Sequence, residues 1–190
     1  MRPAGVPFGA PVTAAHALAA GGVVAYPTEA VFGLGCDPDN PDAVARLLAL
    51  KRRPWRKGLI LLAADLDQLR PYLAPLTPEL EARLMASWPG PHTWLVPAAR
   101  GLSRWLRGEH PTLAVRVSAH PPAAALARAF GKPVISTSAN RAGRPPLDTA
   151  DAVRRTFGAR LDHVLSGPTG GQARPTAIRD LVSGEVVRAG

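Results

Sequence analysis

Cysteine, lysine and aromatic residues are all scarce in this chain of 190 residues. The one cysteine, Cys36, excludes an internal disulfide and any zinc site built on cysteines. Aromatic residues make up 5% of the chain, and the longest strongly apolar run, residues 59–64, is far too short to cross a bilayer. Pro and Gly interrupt the apolar residues at the start, so no signal-peptide core is present. We therefore expect a soluble, cytoplasmic protein with no structural metal and no membrane partner.

Basic residues are abundant and unevenly distributed. The 23 Lys and Arg against 14 Asp and Glu give a net charge of +9, and only three of the basic residues are lysines. Residues 1–95 carry nine basic and eight acidic groups, whereas residues 96–190 carry fourteen and six. This excess indicates an anionic partner without saying which one. The planar guanidinium group of arginine suits phosphates and carboxylates.

Alternating helix and strand patterns predict a single α/β domain over residues 1–190. The helices are predicted at 12–20, 41–51, 121–130 and 149–157, with another that begins at Thr77. The strands are predicted at 22–27, 58–63, 93–97, 113–118, 133–137, 163–166, 176–182 and 185–188. Residues 28–40 and 138–146 are predicted to be loops. Because the late strands are short and joined by tight turns, we expect a mixed rather than a purely parallel sheet, flanked by helices.

Two segments place unusual residues at the end of a predicted strand or helix. In residues 26–37, glycines would let a ligand approach the backbone closely, although a glycine-rich turn explains them equally well. Residues 51–57 hold five basic residues in seven at the end of a predicted helix. They form either a solvated turn that complements the helix C-terminus or a phosphate clamp. In an extended clamp, Lys51 and Arg53 would point the same way.

A third segment, residues 136–143, groups hydroxyl and amide side chains directly after a predicted strand. Open α/β sheets bind ligands at such strand ends, although similar clusters also form ordinary turns. A G-x-S-x-G elbow and a Walker A motif are both missing, and no pair of catalytic carboxylates is evident. The remaining cations and neutral donors favour a highly anionic substrate such as a nucleoside triphosphate.

Five motifs occur in order along the chain: AYPTEAVFGLGCD (25–37), K-x-R-P (51–54), LAVRV (113–117), STSAN (136–140) and GGQARPTAIRD (170–180). Together they resemble the YrdC/TsaC family of threonylcarbamoyl-adenylate synthases, and the short bacterial form most closely. The resemblance implies a YrdC-like twisted mixed sheet with a basic concave cleft. It also implies a nucleotidyltransferase that joins L-threonine, bicarbonate and ATP into threonylcarbamoyl-adenylate and pyrophosphate. Downstream threonylcarbamoyl-transferase proteins would then modify tRNAs that read codons starting with adenosine.

The resemblance also implies roles for individual residues. Catalysis would fall to Lys51, Arg53, Ser138 and Asn140. The same four side chains would hold ATP, a substrate that brings its own Mg²⁺, together with Thr112 and Arg188. Threonine and the carbamate would lie against Thr28, Arg116, Ser136 and Thr176. No residue is predicted to bind a resident metal. The cations would offset the repulsion between two anionic reactants.

The alternative is an RNA-binding module that uses the basic second half of the chain for tRNA or double-stranded RNA. Arg100, Arg104 and Arg107 surround Trp105 in a pattern that suits a phosphate backbone and stacked bases. The other interpretation of this segment is an amphipathic helix that buries Trp105 and Leu106. Weak RNA binding is compatible with the enzyme as well.

Overall fold

The helices lie close to their predicted positions. A computed structural model of the protein describes residues 11–172 and 176–189. Over these ranges the α-helices are α1 (Pro11–Ala19), α2 (Pro41–Lys51), α3 (Pro78–Met85), α4 (Arg104–Arg107), α5 (Pro121–Phe130) and α6 (Ala150–Phe157). Helix α2 begins where the sequence predicts because the Asn40 side chain accepts a hydrogen bond from the Ala43 amide and Pro41 occupies the first turn. None of the helices in the described ranges is long and apolar enough to span a membrane.

The strands form one mixed sheet, as the sequence predicts. In chain order they are β1 (Val24–Pro27), β2 (Phe32–Gly35), β3 (Ile60–Ala63), β4 (His92–Pro97), β5 (Thr112–Val117), β6 (Val134–Ser138), β7 (His163–Val164), β8 (Ala177–Asp180) and β9 (Val186–Arg188). Their order across the sheet is β7-β1-β2-β6-β3-β5-β4-β8-β9. The β1–β7, β3–β5 and β4–β8 pairs are parallel, and the other neighbours are antiparallel.

Strand β2 corrects the prediction that residues 28–40 are a loop. Its Phe32 and Leu34 are fully buried, while the alternate positions are glycines, which weaken a strand signal. At Gly35 the glycine is needed for sheet packing, since a Cβ there would lie 2.3 Å from the carbonyl oxygen of Ile135 on β6. That glycine therefore serves the neighbouring strand and not a ligand.

Two apolar cores lie on opposite faces of the sheet. On one face, α1 and α5 pack on Tyr26 and Leu62 through residues such as Leu18 and Leu126. On the other, α2, α3 and α6 contribute to a larger core. Each fully buried leucine contributes about 1.5–3 kcal/mol to folding. The result is a three-layer arrangement with helices on both sides of the sheet.

Part of the α1/α5 face carries polar side chains instead of a helix. Side chains alternate along a strand, so Ser136 and Ser138 share the face of Val134, whose side chain lies in the α1/α5 core. By the same alternation Arg116 points to this face, because Val115 and Val117 belong to the opposite core. The sheet thereby provides the floor of an open cleft.

Candidate anion-binding cleft

The cleft lies over the central strands β2, β6, β3 and β5. Its hydroxyl-bearing lining residues are Thr28, Ser136, Thr137, Ser138 and Thr176. Its charged lining residues are Arg53, Arg116 and Arg188. Among the described residues, no Asp or Glu lines it. The arrangement is a positively charged recess with many hydrogen-bonding groups, which suits anions.

Arg53 and Arg188 lie at one end of the cleft and bond to neutral oxygens. Arg53 donates from Nε and Nη2 to the Gly58 carbonyl at 3.2 and 2.9 Å, and Arg188 donates from Nη2 to the Thr176 carbonyl at 3.1 Å. Burial and then the nearby Arg188 charge lower the pKa of Arg53. Arg53 still stays protonated, because an arginine side chain does not lose its proton in a protein. This end therefore concentrates positive charge.

Lys51 lies behind the cleft and holds the turn that follows β6. The side chain is 4% exposed, and Nζ donates to the Ser138 carbonyl, to the Asn140 carbonyl at 2.9 Å and to Asn140 Oδ1 at 3.1 Å. An ammonium group has three donors, so the turn uses all of them. Burial, followed by the Arg53 charge, lowers the pKa of Lys51 to about 8.

Ser138 and Asn140 are tied to each other within the same turn. The Ser138 hydroxyl donates to Asn140 Oδ1 at 2.7 Å, and Asn140 Nδ2 donates to the Arg144 carbonyl at 2.5 Å. A hydroxyl has one hydrogen, so in this arrangement Ser138 can only accept a further bond from a ligand. Asn140 and Lys51 act on the cleft through Ser138 and do not line it.

Residues 51–53 are not extended, so the condition under which Lys51 and Arg53 would point the same way is not met. Between them Arg52 takes a left-handed conformation (φ 52°, ψ 41°), which ends α2 and reverses the chain direction. Lys51 therefore reaches behind the turn while Arg53 enters the cleft. The solvated-turn interpretation holds for the other basic residues of the segment, since Arg52, Arg56 and Lys57 are exposed.

Arg116 lies at the opposite end of the cleft. Register pairs Leu62 of β3 with Arg116, four residues beyond the level of Gly58, where Arg53 is held. Arg188 is level with Arg116 along the strands but lies on β9, three strands from β5, so their backbones are about 14 Å apart across the sheet. Arg116 Nη2 donates to Glu29 Oε2 at 2.6 Å, and Ser118 Oγ donates to Glu29 Oε1 at 2.7 Å. Unlike Arg53 and Arg188, Arg116 is thus paired with a carboxylate.

Most of the residues that line the cleft were predicted from the sequence, but two residues that position them were not. Of the predicted site residues, the structure brings seven to the lining: Thr28, Arg53, Arg116, Ser136, Ser138, Thr176 and Arg188. Thr112 begins β5 but does not line the cleft. Residues 173–175 of the last motif lie outside the described residues. Glu29 and Ser118 were missed, and the one available signal was an acidic residue inside the otherwise uncharged segment 25–36.

The Trp105 prediction is also corrected. Helix α4 is one turn long, so it buries Leu106 but leaves Trp105 42% exposed. Trp105 lies beside Trp55 and Arg52 in a shallow groove outside the cleft. The described residues contain no group of three or more His, Cys, Asp or Glu side chains suited to a metal ion.

The fold and the cleft together define an α/β protein with a positively charged recess over an exposed part of its sheet. The family model Sua5_yciO_yrdC, whose description reads "Telomere recombination", matches residues 16–190. The chain belongs to this Sua5/YciO/YrdC family, which confirms the resemblance seen in its motifs.

Individual relatives support the same placement. The threonylcarbamoyl-AMP synthase of Halorhodospira halophila is 59% identical over 175 residues, 92% of this chain and 92% of that protein. P. abyssi Sua5 complexed with L-threonine has a TM-score of 0.83 at 30% identity, over 90% of this chain and 50% of the other. E. coli YciO has a TM-score of 0.81 at 28% identity, over 95% and 88%. The chain thus spans about half of the Sua5 chain but nearly all of the synthase.

Proposed function

We propose that this protein is a threonylcarbamoyl-AMP synthase, which makes threonylcarbamoyl-adenylate and pyrophosphate from L-threonine, bicarbonate and ATP. The observation that carries the proposal is the cleft lined by Arg53, Arg116 and Arg188 with no acidic side chain among its described lining residues. Membership of the family and the near full-length match to a synthase support it. The proposal makes the protein an enzyme that transfers a nucleotidyl group.

The chemistry requires two anions to meet. The amine of threonine attacks the carbonyl carbon of bicarbonate, and loss of water leaves a carbamate. A carbamate oxygen then attacks the α-phosphorus of ATP, forms the P–O bond of the adenylate and expels pyrophosphate. Both reactants are negatively charged, so preorganised cations lower the barrier by offsetting their repulsion and fixing the line of attack.

The charges of the cleft favour one orientation of the substrates. Arg53 and Arg188 bond only to carbonyl oxygens among the described residues, so their charges are available to the triphosphate. Arg116 is paired with Glu29, which leaves it suited to the single charge of the threonine carboxylate. The α-phosphorus and the carbamate would then meet over Ser136 and Ser138 at the centre.

One edge of the reaction site is the hydrogen-bonded turn formed by Lys51, Ser138 and Asn140. Because the Lys51 donors are used by the turn, its contribution is to hold Ser138 at the cleft and to add a positive charge behind it. Thr28 and Thr176 line the walls from two chain segments. Thr28 donates its hydroxyl to the Val31 carbonyl at 2.6 Å, which leaves its oxygen to accept from a substrate amine.

The proposed reaction also needs Mg²⁺ and a route for its unstable product. Mg²⁺ arrives on the triphosphate as part of the substrate. The product is a mixed anhydride that water hydrolyses, so it must be shielded and then consumed by transferase proteins that modify tRNA. The cytoplasm, where ATP and tRNA occur together, is the compartment that this role implies.

Pyrophosphate release tests the proposal directly. Purified protein, ATP, Mg²⁺ and bicarbonate should release pyrophosphate only when L-threonine is added, and mass spectrometry should detect threonylcarbamoyl-adenylate. Omission of bicarbonate in degassed buffer is the matched control. Release that is independent of threonine would contradict the synthase assignment and indicate simple ATP hydrolysis.

A further inference from the structure

Glu29 is a buried carboxylate beside the cleft that the reaction chemistry does not use. The residue is 6% exposed and accepts one hydrogen bond from Arg116 and one from Ser118. We propose that Glu29 determines specificity at this end of the cleft by cancelling the charge of Arg116 and fixing its orientation. The Arg116 end then takes a singly charged carboxylate and rejects polyphosphate. This inference rests on the proposed function, because threonine is its ligand.

Glu29 is held from both its side chain and its backbone. Ser118, which is 2% exposed, donates to the carboxylate and accepts from the His120 amide at 3.2 Å. On the backbone side, the Gln172 amide donates to the Glu29 carbonyl at 2.9 Å. A Cβ on Gly170 would lie 2.9 Å from Glu29 Cα, so the segment around Gly170 is packed directly against it. The backbone contacts place Glu29 beside Arg116, and the ion pair aims its carboxylate.

The charge balance explains the selectivity. An unpaired guanidinium attracts any anion, and the attraction grows in proportion to the charge of the ligand. Paired with a carboxylate at 2.6 Å, Arg116 presents almost no net charge but keeps directional donors. Its buried Nε has no hydrogen-bond partner among the described residues. Directional N–H groups favour a planar carboxylate, whereas the loss of net charge removes the advantage of a polyphosphate.

The two ends of the cleft therefore divide the substrates between them. Without Glu29, three arginine charges would line one recess, and pyrophosphate or the triphosphate could bind at either end. A polyphosphate at the Arg116 end would occupy the place of threonine. Glu29 prevents this misplacement and leaves a place for threonine while the other end holds phosphate.

The test compares threonine binding with and without pyrophosphate in the wild type and in Glu29→Gln. Glutamine has nearly the same shape and still accepts a hydrogen bond, but it removes the charge. Isothermal titration calorimetry gives the Kd for L-threonine in the absence and presence of inorganic pyrophosphate. In the wild type we expect a change of less than about twofold. In Glu29→Gln we expect pyrophosphate to weaken threonine binding at least about tenfold, which is ~1.4 kcal/mol.

Controls separate the charge of Glu29 from its packing. Ser118→Ala removes one hydrogen bond but keeps the ion pair, and it should show the wild-type pattern. Circular dichroism checks that each variant is folded. Threonine binding in Glu29→Gln that stays independent of pyrophosphate overturns the proposal. So does pyrophosphate that displaces threonine from the wild type, a result that needs no variant. A wild type that binds no threonine overturns the proposed function itself, which keeps the two failures distinct.

Discussion

The two ends of the cleft hold their cations in different ways. At the Arg53 end, Arg53, Arg188 and the buried Lys51 bond to uncharged oxygens, so positive charge accumulates there. At the Arg116 end, Glu29 neutralises the guanidinium. The same residue type thus serves as a source of charge in one place and as a directional donor in the other. The difference lies in the partner and not in the arginine.

Removal of Arg53 should have the largest effect. Arg53→Ala deletes a charge that lines the cleft, and loss of one preorganised stabilising group typically costs about 10²-fold or more in rate. We expect pyrophosphate release to fall by at least that factor. The matched control is Arg56→Ala three residues later, where the side chain is exposed and pairs with Glu109. Equal activity of the two variants would contradict the assignment of charge to this end.

The second prediction concerns the buried Lys51 and the pH dependence of stability. Its pKa is lowered from 10.5 to about 8, so between these values the unfolded chain holds a proton that the folded chain has released. Stability then rises with pH, and the contribution from Lys51 should grow by about 2 kcal/mol from pH 7.5 to 9.5.

Urea unfolding of the wild type and Lys51→Met at both pH values measures this contribution. Methionine retains most of the packing but cannot titrate, and taking the difference between the two proteins cancels the other titrating groups. The free energy of unfolding of the wild type should increase relative to the variant as pH rises. Identical pH slopes would show that the ammonium is not desolvated as the structure indicates.

A prediction on stability alone concerns Thr93 on β4, whose hydroxyl contacts that of Thr176 in the wall of the cleft. The Thr93 and Thr176 hydroxyls are buried 3.0 Å apart, and the Thr176 carbonyl holds Arg188. Thr93→Val keeps the shape but leaves the Thr176 hydroxyl without this partner, at a cost of about 1–3 kcal/mol in stability. Thermal unfolding measures the loss. An unchanged unfolding temperature would contradict the pairing of the two buried hydroxyls.

The residues of the cleft were more predictable than the reasons for their placement. Arg53 and Arg116 stand in short motifs, so local pattern and residue chemistry led to them. The positioning role of Lys51 depends on a turn 87–89 residues away, and that of Glu29 depends on Arg116, 87 residues later. A local sequence pattern cannot predict contacts between residues so far apart in the chain. The prediction that a helix buries both Trp105 and Leu106 was wrong for a related reason. A single helical turn that buries Leu106 points its neighbour Trp105 outward.

The position of β6 has a consequence for how the chain folds. This strand lies between β2 and β3, so it joins the β1–β2 hairpin to the rest of the sheet although it comes far later in the sequence. Pairings of such long sequence separation slow folding, because loop closure must precede them. The insertion of β6 also carries Ser136 and Ser138 into place. Substrate binding should therefore return only in the last kinetic phase of refolding, with protection of the β6 amides from hydrogen exchange.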